Sequence, residues 1–144
     1  MIEQDTVRLL RECGAGVKMG VSSLEDVIPA VRSAALLRTL SVCREEHEAL
    51  STQINQQLDR FGDEGKDPNP VARRMSWAKT KLELGLEGTD AVIADLMTDG
   101  CNMGVKSLNR YLNQYEAADE RSKDMAKRLI HLEQQLVTDI QGYL

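Results

Sequence analysis

Apolar residues recur every three or four positions along most of the chain, and this spacing constrains the fold more than any other feature. In segment 33–61 the steps average near 3.5 residues over three heptads, which is typical of a helix-bundle seam. The stripe consists of Leu36, Leu40, Cys43, His47, Leu50, Ile54, Leu58 and Phe61. At about 1.5 Å per residue such a helix is roughly 43 Å long, so the segment predicts a long bundle.

The other periodic segments complete an all-α plan. They are 3–28, 71–86, 90–115 and 118–143. Pro29 ends the first segment and Ser33 is a candidate N-cap of the second. Neither half could bury its stripes alone, so the Gly- and Pro-rich break at 62–70 is interpreted as a crossover. The sequence predicts one domain over 1–144, with two long antiparallel hairpins joined by a crossover that contains a short helix. Only 3% of residues are aromatic, which argues against a β sandwich.

Charge and cysteine content limit the partners. The net charge is −5, and such a surface repels phosphate backbones, so no nucleic-acid partner is expected. No apolar run approaches the roughly 20 residues of a membrane span, and no secretory signal opens the sequence. A cytoplasmic location with reduced thiols is therefore expected. Cys13, Cys43 and Cys101 all lie on apolar stripes, where a thiol usually packs as a small apolar group.

The sequence also contains an internal repeat. Residues 13–18 and 101–106 both read C-x-x-G-V-K, and residues 44–47 and 128–131 both read R-x-x-H. The two matches fall on the first and second helices of the two predicted hairpins. We interpret them as the trace of a duplicated hairpin.

Duplication has a geometric consequence. Two like hairpins pack around an approximate two-fold axis, which brings corresponding residues to face each other near the centre. Gly16 and Gly104 are corresponding residues in this alignment. They are expected to let the first helices of the two hairpins approach closely, at a cost of about 1 kcal/mol each relative to alanine.

The arrangement resembles the ferritin-like superfamily, and more narrowly the small ferritin-like proteins of bacteria. The similar residues are the Gly-Val-Lys-Met-Gly run at 16–20, the Glu-Asp-Val run at 25–27 and segment 99–112. The resemblance covers nearly the whole chain. It implies a four-helix bundle made of two hairpins and a long crossover.

The resemblance also implies where a metal centre would be. Di-iron members have one Glu on each first helix and E-x-x-H on each second helix. Here two lysines stand at the single-Glu positions, two arginines stand at the E of E-x-x-H, and both histidines remain. Four cations in place of four carboxylates would repel two divalent ions, so no metal, no cofactor and no catalytic residue is expected. The predicted central polar cluster consists of Lys18, Arg44, His47, Lys106, Arg128 and His131.

Several functional interpretations remain open at this point. The leading one is a non-enzymatic binding or structural protein whose former metal centre is a salt-bridged polar core. The first alternative is a metal-binding oxidoreductase or metal store built from carboxylates at other positions, such as Glu45, Glu48, Glu83 or Glu133. The second is a helix-mediated interaction module. Self-association as a homodimer is also a candidate.

Overall fold

The computed structural model describes residues 2–66 and 90–144, and within these ranges all regular structure is helical. The four helices, numbered in chain order, are α1 (Ile2–Val27), α2 (Ala34–Arg60), α3 (Asp90–Gln114) and α4 (Glu120–Ile140). They pack against one another as predicted, which confirms the all-α class and a four-helix arrangement. The predicted short helix 71–86 lies outside the described residues. None of the described helices combines the length and apolar character needed to cross a membrane.

The helix boundaries follow from local chemistry. α1 gives way to a 3₁₀ turn at Ile28–Ala30, with Pro29 near its start. Ser33 has extended backbone geometry, and its Oγ accepts a hydrogen bond from the backbone N–H of Leu36 at 3.3 Å. Asp119 caps α4 in the same way, accepting from the N–H of Ser122 at 2.8 Å. Each cap satisfies a helix-terminal donor that would otherwise lack a partner.

Hydrogen bonds between distant segments fix the chain directions. The carboxylate of Asp90, at the start of α3, accepts from the backbone N–H groups of Arg32 and Ser33 at 2.8 and 2.9 Å. α3 therefore begins at the end of the bundle where α1 gives way to α2. At the opposite end, the N–H of Asp119 donates to Thr6 Oγ1 at 2.8 Å. α3 consequently runs antiparallel to α1, and α4 runs parallel to α1.

The end of α2 is held at the same end of the bundle as the start of α1. Arg11 makes a bidentate contact with the carboxylate of Asp63, with Nη2 to Oδ2 at 2.7 Å, and Lys66 Nζ lies 2.7 Å from Glu12 Oε1. Since α3 starts at the other end, Lys66 and Asp90 lie at opposite ends of the bundle. The chain between the two hairpins thus connects one end to the other.

The core consists of two apolar clusters stacked along the bundle axis. The lower cluster lies where α1 begins, and its buried members include Leu9, Leu10, Cys13, Val17, Leu50, Ile54, Leu58, Leu108, Met125 and Leu129. The upper cluster lies where α1 ends, and it includes Leu24, Val27, Leu36, Leu40, Cys43, Ile93, Met97, Cys101, Leu136 and Ile140. Most stripe residues predicted from the sequence are in these clusters. Met103 of α3 lies outside both clusters and is 70% exposed.

Candidate functional site

A polar layer separates the two apolar clusters, and we call it the waist. It consists of one residue from each helix: Gly20, His47, Gly104 and Glu133. Each of these lies along its helix between residues of the lower and the upper cluster, so the four share one level of the bundle. His47 and Glu133 are only 2% and 7% exposed. The waist is therefore where ionisable side chains enter the core.

In the first hairpin, His47 of α2 packs against Gly20 of α1. A Cβ atom placed on Gly20 would lie 3.0 Å from His47 Cδ2 and 3.2 Å from Nε2, so any larger residue would force the ring to shift. His47 Nδ1 lies 2.8 Å from the carbonyl oxygen of Cys43. A carbonyl can only accept, so Nδ1 carries a proton, and Nε2 carries none while the ring is neutral. Burial lowers the pKa of His47, partly offset by this hydrogen bond and by Glu46.

In the second hairpin, Glu133 of α4 packs against Gly104 of α3. An alanine Cβ at Gly104 would lie 2.5 Å from Glu133 Oε2 and 2.7 Å from Oε1. Oε2 is buried and has no hydrogen-bond partner among the described residues. Burial raises the pKa of Glu133 to about 8. A carboxyl group in this position is therefore neutral near pH 7, because its charged form loses hydration without gaining a donor.

Two thiols line the upper side of the waist. The Sγ of Cys43 lies 3.5 Å from His47 Nδ1. The negative charge of Glu133, when present, raises the pKa of both Cys43 and Cys101, although burial is the larger cause for each. Both thiols are free and buried, as is Cys13 in the lower cluster. This agrees with the predicted packing role and disfavours a reactive thiolate at neutral pH.

The two hairpins bury residues with the same spacing. Five buried residues of α1 are followed 84 positions later by five buried residues of α3: Leu9, Leu10, Cys13, Val17 and Leu24 precede Ile93, Ala94, Met97, Cys101 and Leu108. In α2 and α4 the interval is 86, which pairs Leu36, Leu40, Cys43, His47, Leu50 and Ile54 with Ser122, Ala126, Leu129, Glu133, Leu136 and Ile140. The waist residues thus occupy equivalent places in the two hairpins.

Of the six residues of the predicted central cluster, the structure buries only His47. Lys18 and Arg44 are half-buried, whereas Lys106, Arg128 and His131 are exposed. Arg128 Nη1 donates to Gln53 Oε1 at 2.6 Å on the surface, and Arg44 Nε is 4.0 Å from Glu48 Oε1. The three side chains from the second hairpin therefore lie on the surface of the bundle and not at its centre. The expected convergence of four cations and two histidines at the bundle centre is corrected accordingly.

The correction has a simple geometric cause. Successive residues of an α-helix are rotated by about 100°, so side chains two residues apart point to nearly opposite faces of the helix. When the two R-x-x-H sequences are aligned, His47 corresponds to His131. The buried equivalent of His47 is instead Glu133, two residues further on. Lys106 likewise follows Gly104 by two residues. The residue types of the repeat therefore match at positions that are not equivalent in burial.

The predicted role of Gly16 is also corrected. The nearest atom to a Cβ at Gly16 is Leu129 Cδ2 of α4, at 3.7 Å, and Gly104 faces Glu133 of the same helix. Neither glycine therefore mediates a close approach of α1 and α3. The glycine equivalent to Gly104 is Gly20, one helical turn after Gly16.

A signal for Glu133 was present in the sequence. Leu129, Glu133, Leu136 and Ile140 follow one another at steps of four, three and four, which is the seam spacing. The adjacent apolar residue Leu132 masks this signal, because an apolar residue is the default choice for a core position.

Within residues 2–66 and 90–144, no three His, Cys, Asp or Glu side chains are arranged to hold a metal ion. In comparisons with known proteins, no family model, no curated protein and no solved structure matches the chain.

Proposed function

We propose that the protein is a non-enzymatic member of the ferritin-like group whose waist has lost the di-iron centre and serves a binding or structural role. The observation that carries this proposal is the composition of the waist. It contains one carboxyl group, Glu133, and one imidazole, His47, where a di-iron centre uses four carboxylates and two histidines. One buried carboxyl cannot bridge and neutralise two divalent ions.

Topology supports the ferritin-like part of the proposal. The two hairpins are joined by a connection between opposite ends of the bundle, as Asp90 and Lys66 indicate through their contacts. Bundles in the ferritin-like group have one such long crossover. The equivalent spacing of buried residues in the two hairpins is what a duplicated hairpin would leave behind.

The side chain of His47 also favours a structural role over metal binding. Its Nδ1 is committed to the Cys43 carbonyl oxygen, and its ring lies against Gly20. Nε2 is the one nitrogen left for a metal, and the second hairpin offers a neutral carboxyl at the same level. A cytoplasmic location and a homodimer stay predictions of this proposal.

Metal analysis tests the proposed function. The full chain is purified from cells grown with added iron, and its iron, manganese and zinc contents are measured per chain. We expect far less than one equivalent of each. A Glu133→Gln variant is the matched control, because its metal content should equal that of the wild-type protein. Near-stoichiometric iron or manganese that is lost in Glu133→Gln would overturn the proposal and establish the metal-binding alternative.

A further inference from the structure

The carboxyl group of Glu133 is the one waist group whose contacts are incomplete. Both of its oxygens lie against the Gly104 backbone, and Oε2 is buried with no donor within hydrogen-bonding distance among the described residues. A protonated carboxyl tolerates this environment better than a carboxylate does, because only the carboxylate carries a full charge away from water. The contact between α3 and α4 at this level therefore depends on which form is present.

Among the described residues, no cation contributes to the raised pKa of Glu133. From α2 it faces Cys43, with the neutral ring of His47 at the same level, and from α3 it faces Cys101. On α1, Lys18 lies two residues before Gly20 and is half-buried. Burial is the cause that raises the pKa of Glu133, and no neighbouring charge is needed to account for it.

We propose that Glu133 makes closure of the waist proton-dependent: α3 and α4 stay packed at Gly104 while the carboxyl is protonated, and they separate locally when it ionises. Separation lets water reach the carboxylate and supplies the hydrogen bonds that the closed waist lacks. The thiols of Cys43 and Cys101 become accessible in the same event. Cys13 does not, because it lies in the lower cluster, away from the waist. This inference rests on the proposed function, since a bound metal ion would hold Glu133 as a carboxylate near neutral pH.

The three free cysteines provide the test. The full chain is treated with iodoacetamide between about pH 5 and about pH 8, and mass spectrometry measures the labelling rate of each thiol. The ratio of Cys101 to Cys13 cancels the intrinsic pH dependence of thiol alkylation. A one-proton linkage predicts a rise in this ratio of up to about tenfold per pH unit. In Glu133→Gln and Glu133→Met the ratio should be independent of pH, whereas Glu45→Gln, an exposed control on α2, should behave as the wild type.

Two results would overturn the proposal. One is an equal rise in labelling at all three cysteines, which means that the whole bundle opens. The other is a wild-type ratio that does not change with pH. The metal content of the same sample distinguishes failure of the proposed function from failure of the proton-dependent closure. Bound iron contradicts the proposed function, whereas a metal-free chain with a constant ratio contradicts only the proton-dependent closure.

Discussion

The two halves of the waist solve the same packing problem with different side chains. In each hairpin a polar residue on the second helix packs against a glycine on the first, as His47 does on Gly20 and Glu133 on Gly104. The imidazole has a hydrogen bond to the Cys43 carbonyl oxygen, but Glu133 Oε2 has no hydrogen-bond partner in the part of the chain that the structure describes. Equivalent positions thus set how deeply a group is buried, whereas the neighbouring acceptors and donors set its protonation.

These protonation preferences make opposite contributions to stability. Burial raises the pKa of Glu133 to about 8, above its ordinary value of 4.5. The folded protein then holds a proton that the unfolded chain has lost, so its stability falls as the pH rises from about 4.5 to about 8. The pKa of His47 is lowered from 6.5, so the unfolded chain gains a proton first as the pH falls below 6.5. Stability from His47 is thus lost in acid.

The largest predicted effect is the alkaline slope from Glu133. The free energy of unfolding of the wild-type protein should fall by up to about 1.4 kcal/mol per pH unit between about pH 5 and about pH 8. Replacement by Gln removes the titrating group and keeps the shape, so the slope should vanish in Glu133→Gln. Urea unfolding of the wild-type protein and of Glu133→Gln, monitored by circular dichroism at a series of pH values, measures the two slopes.

The matching control on the other half of the waist is His47→Gln. This variant should keep the alkaline slope and lose the destabilisation below pH 6.5, the ordinary pKa of histidine. A wild-type alkaline slope retained in Glu133→Gln would show that another group causes it, and the contrast between the two halves would then be wrong.

The next effect comes from the same substitution at the two waist glycines. In Gly20→Ala the new Cβ meets the ring of His47, which is 2% exposed and hydrogen-bonded, so the ring has little room to move. Overpacking of about 1–3 kcal/mol should exceed the gain in helix propensity of about 1 kcal/mol. We expect Gly20→Ala to lower the free energy of unfolding by about 1 kcal/mol.

In Gly104→Ala the new Cβ meets the end of a flexible side chain instead. The carboxyl of Glu133 should turn away toward water, where its pKa returns toward the ordinary value. The substitution should therefore weaken the alkaline slope and leave the free energy of unfolding near pH 8 within about 1 kcal/mol of the wild type. Equal decreases in the free energy of unfolding of both variants at every pH would contradict our assignment of a rigid His47 ring and a mobile Glu133 side chain.

The smallest effect is expected at Gly100, which serves as the reference for both substitutions. A Cβ at this position meets no atom of residues 2–66 or 90–144 within 4 Å, and the residue is exposed in α3. Gly100→Ala should raise the free energy of unfolding by about 0.5–1 kcal/mol, because alanine loses less backbone entropy in a helix. Loss of stability in this variant would mean that the environment of α3 differs from the one described.

Much of the fold was predictable from local patterns. The four described helices begin and end within about three residues of the predicted segments, and Ser33 caps α2 as expected. Such boundaries depend on a few adjacent residues, such as the cap and Pro29. The stripe of α2 is buried almost throughout, since a seven-residue period can point to only one face of a helix.

The composition of the waist was not predictable from the same patterns. The repeat pairs His47 with His131, but packing buries Glu133 and exposes His131. A shift of two residues leaves a sequence match intact and turns the side chain to the opposite side of the helix. Only the contacts between helices select which residue enters the core.

The sequence alone determined that this chain forms long amphipathic helices, where they stop and which segments pair as hairpins, because period, caps and proline act within a few residues of each other. The tertiary structure decided which polar side chains face inward at the centre and which of them have a hydrogen-bond partner. That decision depends on the rotation of each helix against its neighbours. At Glu133 it placed a carboxyl group against the backbone of Gly104, with no donor within reach of Oε2 among the described residues.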